Sequence, residues 1–225
     1  ETLFEKIAKR LNVDVMLTMQ YRMHEQIMNF SSREFYKNEL AAHPTNKRWT
    51  LAEGDMPLNF IDTAGCGFYE HTDKESKSTG NKDEANLMLS VLEELHTHVG
   101  FDLLKTYSIG IISPYKAQVH ILKDLIEETE LGKSMQGNIS VNTVDAFQGQ
   151  ERDIIIISLV RSNEKGEIGF LKDTRRTNVA MTRARRKLII IGDSATVGNF
   201  PFYSRFLDYV NEVGSYRSAF EFGET

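Results

Sequence analysis

The sequence predicts a doubly wound α/β domain, a mostly parallel sheet covered by helices on both faces. Three observations carry this prediction. The apolar runs at 107–112, 153–160 and 187–191 do not alternate polar with apolar, as expected of strands buried on both faces. Segments of helical periodicity separate these runs, which is the order of βαβ units. A length of 225 residues, 40% of them hydrophobic, suffices for one sizeable core.

Taken in chain order, Leu3, Phe4, Ile7 and Ala8 place apolar side chains on one helical face at the start. Leu58-Asn-Phe-Ile-Asp62 reads as a short strand closed by the turn residues Thr63-Ala-Gly65. Ala85, Leu89, Leu92 and His96 recur at helical spacing over 82–99. The strand at 107–112 ends at Ser113-Pro114, which introduces a helix over 115–130 built on Val119, Leu122, Leu125 and Ile126. Strands follow at 138–144 and at 153–160, the second strongly apolar. A helix over 174–183 leads into a strand at 187–191, ended by Gly192-Asp193, and residues 202–213 form a last helix. The polar stretch 71–82 is expected to be a mobile surface loop. In such sheets ligands gather beyond the carboxyl ends of the strands. That rule singles out the loops 63–67, 113–116, 143–151, 161–169 and 192–194.

Composition narrows the class further. No apolar run is long enough to span a bilayer, so no membrane association is expected. The single cysteine, Cys66, excludes an internal disulfide and a cysteine-rich zinc site, and it suits a reducing, cytoplasmic setting. The six histidines show no metal-ligand spacing, and no metal site is expected within the chain. The net charge is −5, but residues 172–187 carry +6 and the remainder −11. A basic stripe on an acidic body is compatible with an anion site on one face, with Arg186 and Lys187 expected to be simply solvated. The chain opens at Glu1 amid helix-like sequence and is expected to be a piece of a longer protein.

Several chemistries are absent. There is no Gly-x-x-x-x-Gly-Lys-[Ser/Thr] phosphate loop and no G-x-G-x-x-G after a strand. No Asp-Glu pair ends an apolar strand, and neither a nucleophile elbow nor a His-Glu-x-x-His helix occurs. A free-standing hydrolase or kinase therefore lacks its machinery. An α/β domain of this size without a phosphate loop binds its ligand differently or borrows the loop from a partner.

Three segments do carry chemical potential. Met19-Gln-Tyr-Arg-Met-His24 offers an amide, an aromatic face and a guanidinium just before a helix. Residue types alone favour a solvated helix start with Tyr21 packed in the core. Thr143-Val-Asp-Ala-Phe-Gln-Gly-Gln-Glu151 leaves a strand at a hydroxyl residue and turns through Gly149. It reads equally as a phosphate-gripping loop or as a capped turn in which Gly149 supplies positive φ. In Arg175-Arg-Thr-Asn-Val-Ala-Met-Thr-Arg-Ala-Arg-Arg186, helical spacing would put Arg183 on a partly apolar face beside Ala180 and Ala184. A guanidinium so placed needs a partner.

In order along the chain, Gln20-Tyr-Arg-Met-His24, Ser113-Pro-Tyr-Lys-Ala-Gln118, Val144-Asp-Ala-Phe-Gln-Gly-Gln-Glu151 and Asn178-Val-Ala-Met-Thr-Arg-Ala-Arg185 resemble motifs IV, IVa, V and VI of superfamily 1 helicases. They are most similar to the branch of the nonsense-mediated-decay helicase and its DNA- and RNA-helicase relatives. The resemblance runs from about residue 1 to residue 195. It implies that residues 1–225 are the C-terminal RecA-like domain of an ATP-dependent motor. The phosphate loop and the magnesium ligands for ATP with Mg2+ would belong to an N-terminal RecA-like domain of the same protein. By motif position Tyr21 would stack on adenine with Gln20 beside it, and Arg22 and Arg183 would be arginine fingers. Gly149 would lie near the γ-phosphate and Glu151 at the ribose. Pro114, Tyr115, Thr143 and Val144 would follow the backbone of single-stranded DNA or RNA. One departure is Glu25, where relatives usually have proline. The alternative is a non-catalytic nucleic-acid-binding module whose partner domain is degenerate, although binding alone needs no arginine fingers. A helicase–nuclease fusion would need carboxylate-rich metal sites outside this chain.

Overall fold

A computed structural model describes residues 16–74 and 77–223; the helix-like opening at 3–8 lies outside them. Six strands make the central sheet: β1 (Leu58–Asp62), β2 (Ile109–Ile112), β3 (Ile139–Asn142), β4 (Arg152–Ser158), β5 (Ala184–Gly192) and β6 (Ser215–Ser218). Their spatial order is β6-β1-β5-β4-β2-β3, and every neighbouring pair is parallel. The two longest apolar strands, β4 and β5, lie side by side in the middle, where both faces are covered.

Period-two alternation divides their side chains between two cores. Ile155 and Ile157 of β4 join Leu188 and Ile190 of β5 on one face, under α1 (Glu25–Phe35), α4 (Thr174–Met181) and α5 (Pro201–Val213). Ile154 and Ile156 join Ile189 and Ile191 on the other face, under α2 (Lys82–Val99) and α3 (Lys116–Glu128). This is the RecA-like α/β domain that the sequence predicts.

Three local expectations are corrected. The stretch 71–82 is no simple surface loop: His71–Thr72 pairs antiparallel with Thr79–Gly80, and Thr79, Gly80 and Asn81 are buried. Gly80 lies so close to α3 that a Cβ would come within 2.8 Å of the Ile121 Cδ1. Asn81 is polar because it caps α2, its side chain accepting from the Glu84 N–H at 3.0 Å, and not because it is solvated.

The helix expected over 174–183 stops at Met181, and β5 begins at Ala184. Arg183 therefore sits in a tight helix-to-strand turn, not on a helical face. Arg185, Arg186 and Lys187 are strand residues, and the last two are not simply solvated. Arg186 packs over the Trp49 ring at 4.9 Å and donates to the Thr50 carbonyl at 3.0 Å. Lys187 is 5% exposed and donates to Asp55. Carboxylates waiting inside the fold let a basic run enter a sheet, and sequence proximity does not reveal them.

Candidate functional site

The first cluster lies at the amino ends of β4 and β5. A short strand, Met19–Gln20, pairs in parallel with Ala41–Ala42 and delivers the chain into a turn. Gln20 builds that turn: its Oε1 accepts from the Arg22 and Met23 N–H groups at 2.8 and 2.7 Å, and its Nε2 donates to the Met23 carbonyl. The His24 N–H then donates to the Arg185 carbonyl at 2.8 Å, docking the turn on the start of β5. His24 caps α1 through Nδ1, and burial lowers its pKa. At position 25 the Glu25 N–H donates to the Lys47 carbonyl at 3.2 Å, a bond that proline could not make.

This turn projects Tyr21 and Arg22 outward. Tyr21 is 65% exposed, so the core-packed reading of its ring is wrong. Its ring stacks on His43, with centroids 4.3 Å apart and planes inclined by 26°. Arg22 donates from Nε to Glu151 Oε2 at 2.7 Å and from Nη1 to the Thr182 carbonyl at 3.2 Å. Arg183 has the partners its setting requires, but they are neutral: Nε donates to the Val179 carbonyl at 2.9 Å and Nη1 to the Gln150 carbonyl at 3.2 Å. Burial, and next the neighbouring Arg22 charge, lower the Arg183 pKa. Arg185 approaches Glu151 and Asp153 at 3.5 Å each and lies over Trp49 at 4.9 Å. Gly149 has φ 78° with nothing within 4 Å of a hypothetical Cβ, so the turn needs glycine for its backbone and not for space.

Glu151 directly precedes β4 and Arg183 directly precedes β5. The carboxyl-end rule misplaces Glu151, while Arg183 lies outside the loops it singles out. The reason is that the loop 143–151 leaves the carboxyl end of β3 and crosses to the amino end of β4, so its two termini lie at opposite poles of the sheet.

The second cluster occupies the carboxyl pole. A cleft of 840 Å³ is lined by Pro114, Thr143 and Val144 together with Lys116, Phe170 and Arg176. Its cations are partly matched, since Arg176 pairs with Asp145 at 3.0 Å. Tyr115 is only 3% exposed, so its ring does not line this cleft. The Tyr115 hydroxyl instead accepts from the Phe170 N–H at 3.3 Å and from Arg161 Nη1 at 3.4 Å, and its ring lies 5.3 Å from that of Phe170. Phe170, which the sequence reading passes over, is 63% exposed on this support. No periodicity marks it; only an apolar side chain in a polar loop would have drawn attention.

A family model for an AAA domain matches residues 1–195. This chain belongs to the AAA_12 family, the C-terminal helicase domain. It is 39% identical over 219 residues to the DNA-binding protein SMUBP-2 of Mesocricetus auratus, covering 92% of this chain and 21% of that protein. It is 42% identical over 209 residues to the DNA polymerase alpha-associated DNA helicase A of Saccharomyces cerevisiae, covering 85% and 30%. With the DNA replication ATP-dependent helicase/nuclease DNA2 of Bos taurus it shares 32% over 240 residues, covering 94% and 22%. The chain thus spans between a fifth and a third of the length of these relatives. Among solved structures, the C-terminal domain of a possible DNA helicase from Lactobacillus plantarum overlaps with a TM-score of 0.49 at 13% identity, covering 89% of this chain and 99% of that one. Among the described residues no helix is long and apolar enough to cross a membrane.

Behind the cleft, the helicase domain buries a charged group that the motifs do not include. Glu84, at the start of α2, is 0% exposed and accepts from Ser158 Oγ at 2.7 Å and from the Val160 N–H at 3.1 Å. Val160 holds φ at 71°, a conformation that β-branched residues rarely adopt. The Asn81 side chain donates to its carbonyl at 3.3 Å. Burial pushes the Glu84 pKa up to about 7, against the pull of these hydrogen bonds. The folded state then binds the proton more tightly than the unfolded chain does, so stability falls as pH rises from the ordinary glutamate range to about 7. Relative to Glu84→Gln, the wild type is expected to lose on the order of 3 kcal/mol across that window. Thermal unfolding of both proteins between pH 4.5 and 8 checks this; parallel pH profiles would mean that Glu84 titrates normally.

Proposed function

We propose that this helicase domain is one half of an ATP-driven motor, supplying Arg22 and Arg183 to the nucleotide and gripping single-stranded DNA or RNA at the opposite pole. The observation that supports it most is the convergence of these two guanidiniums beside Tyr21 and Glu151, with neither locked in a buried carboxylate pair. Arg22 and Glu151 are 33% and 45% exposed, and an ion pair so solvated contributes only about 0–1 kcal/mol. Exchanging Glu151 for a phosphate therefore costs Arg22 little. Arg183 hydrogen-bonds only neutral carbonyls, so its charge is only partly offset, by the nearby Glu151.

On this reading Tyr21 stacks on the base, with Gln20 shaping the turn beneath it. Glu151 is at the ribose, and Gly149 keeps the backbone beside the γ-phosphate free of a side chain. ATP would come with Mg2+, whose ligands, like the phosphate loop, would lie on an N-terminal RecA-like domain and whose charge would offset that of the phosphates. The two fingers act when that domain closes on this one. Pro114, Thr143 and Val144 track the strand's backbone, while Tyr115 contributes by holding Phe170 and not through its own ring. Residues 1–225 would belong to this functional unit, joined in one chain to the N-terminal half and working in the cytoplasm.

The test is ATP hydrolysis by the full-length protein, with and without single-stranded DNA or RNA. Strand-stimulated turnover is expected, falling as salt is raised because phosphate contacts dominate the grip. The chain of 225 residues by itself is expected to hydrolyse no ATP. Measurable turnover by that chain would overturn the two-half reading, and no strand stimulation in the full-length protein would favour a binding module.

A further inference from the structure

The Tyr21 ring does not stand alone. We infer that His43 is a positioning residue for nucleotide recognition, its imidazole backing one face of Tyr21 so that the opposite face receives the base. The inference rests on Tyr21 being the base platform, as proposed above.

The backbone sets the two side chains next to each other. Met19 is in register with Ala41 and Gln20 with Ala42, so Tyr21 and His43 follow as the next pair. The His43 N–H donates to the Gln20 carbonyl at 2.9 Å, extending the ladder by one bond. The result is the stacked pair at 4.3 Å and 26°, within the range where aromatic rings attract.

The imidazole is also held from behind. Its Nδ1 accepts from the Thr45 N–H at 3.3 Å and meets the Thr45 hydroxyl. The Asn46 and Lys47 N–H groups both donate to the His43 carbonyl, at 3.1 and 3.0 Å. Asn46 is 1% exposed and donates from Nδ2 to the Met23 carbonyl at 2.7 Å, tying this loop to the far side of the turn that carries Tyr21. Backbone, side chain and loop thus clamp His43 to the motif from three directions.

A surface tyrosine without such support would spread over its rotamers, and binding would have to immobilise it. With His43 behind it, that ordering is complete before the nucleotide arrives. A competing arrangement is that His43 sits where the base would go. The tethers argue against it, because an imidazole that must vacate its seat would not be fixed by Thr45 and by the ladder. Tyr21, at 65% exposed, still has most of its surface open to a ligand.

The experiment is steady-state ATP hydrolysis by the full-length protein at saturating single strand, comparing wild type, His43→Ala, His43→Phe, Tyr21→Ala and the double alanine variant. His43→Ala is expected to raise KM for ATP about 3–10-fold, the size of a lost aromatic contact, with kcat within about twofold. His43→Phe keeps a flat ring and is expected to restore KM. In the Tyr21→Ala background the His43 change is expected to add nothing, since there is no ring left to back. A lower KM in His43→Ala would show that the imidazole occupies the base's seat and would overturn the proposal. An unchanged KM, a loss in kcat alone, or failure of His43→Phe to restore KM would overturn it as well. If Tyr21→Ala itself leaves KM unaltered, the base-platform reading falls and this inference with it. If Tyr21→Ala raises KM while His43→Ala does not, only the role of His43 falls.

Discussion

In the full-length protein, Arg183→Ala is expected to lower ATP turnover by about 10³–10⁵-fold while leaving nucleotide affinity within a few-fold of wild type. The split follows from when the guanidinium acts. As the γ-phosphoryl group transfers, charge spreads over its oxygens, and a cation placed there stabilises the transition state more than the bound substrate. Arg183 is suited to this because, among the described residues, no carboxylate forms an ion pair with it, although the nearby Glu151 offsets part of its charge. Its partners are the Val179 and Gln150 carbonyls, and burial together with Arg22 already disfavours its charge. An approaching phosphate would relieve that repulsion.

The same contacts say what the variant does to the fold. Losing two hydrogen bonds to partly solvated carbonyls costs about 1 kcal/mol each, which a domain of this size tolerates. Arg183→Lys is expected to recover little, because an ammonium cannot span both carbonyls and a phosphate as the planar fork can. Steady-state turnover and direct titration with a fluorescent nucleotide separate the effects. Unfolding of the variant, or a loss of binding equal to the loss of turnover, would make Arg183 a structural residue.

The framework of this domain was legible because its strands obey a single rule. Buried on both faces, 154–157 and 188–191 had to be apolar at every position, and helical spacing over 82–99 and 115–130 marked the helices that cover them. The site was legible in part. Motif order brought Tyr21, Arg22, Glu151 and Arg183 under suspicion, and the fold puts Arg22 on Glu151 although 129 positions separate them. Their location at the amino pole could not be read, since it depends on a loop crossing the sheet. Arg186 and Lys187 looked simply solvated because their carboxylate partners, Asp153 and Asp55, are distant in sequence. Tyr115 looked like a surface aromatic, yet the chain turns it inward to hold Phe170. His43 and Trp49 carry no local signal at all; each matters only through the residue it lies against.

Asp55→Ala is expected to cost about 3–5 kcal/mol, the largest stability loss we foresee outside the apolar cores. The side chains of Lys187 and Asp55 are 6% and 4% exposed, and among the described residues the ammonium donates only to Asp55 Oδ1 and, at 2.8 Å, to the Met56 carbonyl. Removing the carboxylate strands a charge in a medium that cannot solvate it. Burial is already the dominant influence on Lys187, lowering its pKa, while Asp55 pulls it back up. Without Asp55 the pKa falls further, so the unfolded chain binds the proton more tightly than the folded one. The deficit of the variant is then expected to shrink as pH rises toward the ordinary lysine range. The pair itself is not an efficient stabiliser, because Asp55 Oδ2 is buried with no hydrogen-bond partner among the described residues. The double variant Asp55→Leu, Lys187→Met is accordingly expected to lie within about 1 kcal/mol of wild type, or above it. Urea unfolding of the three proteins at pH 7 and pH 9 decides the matter. A cost below about 1 kcal/mol for Asp55→Ala, independent of pH, would mean that water reaches Lys187 and that the basic run is solvated after all.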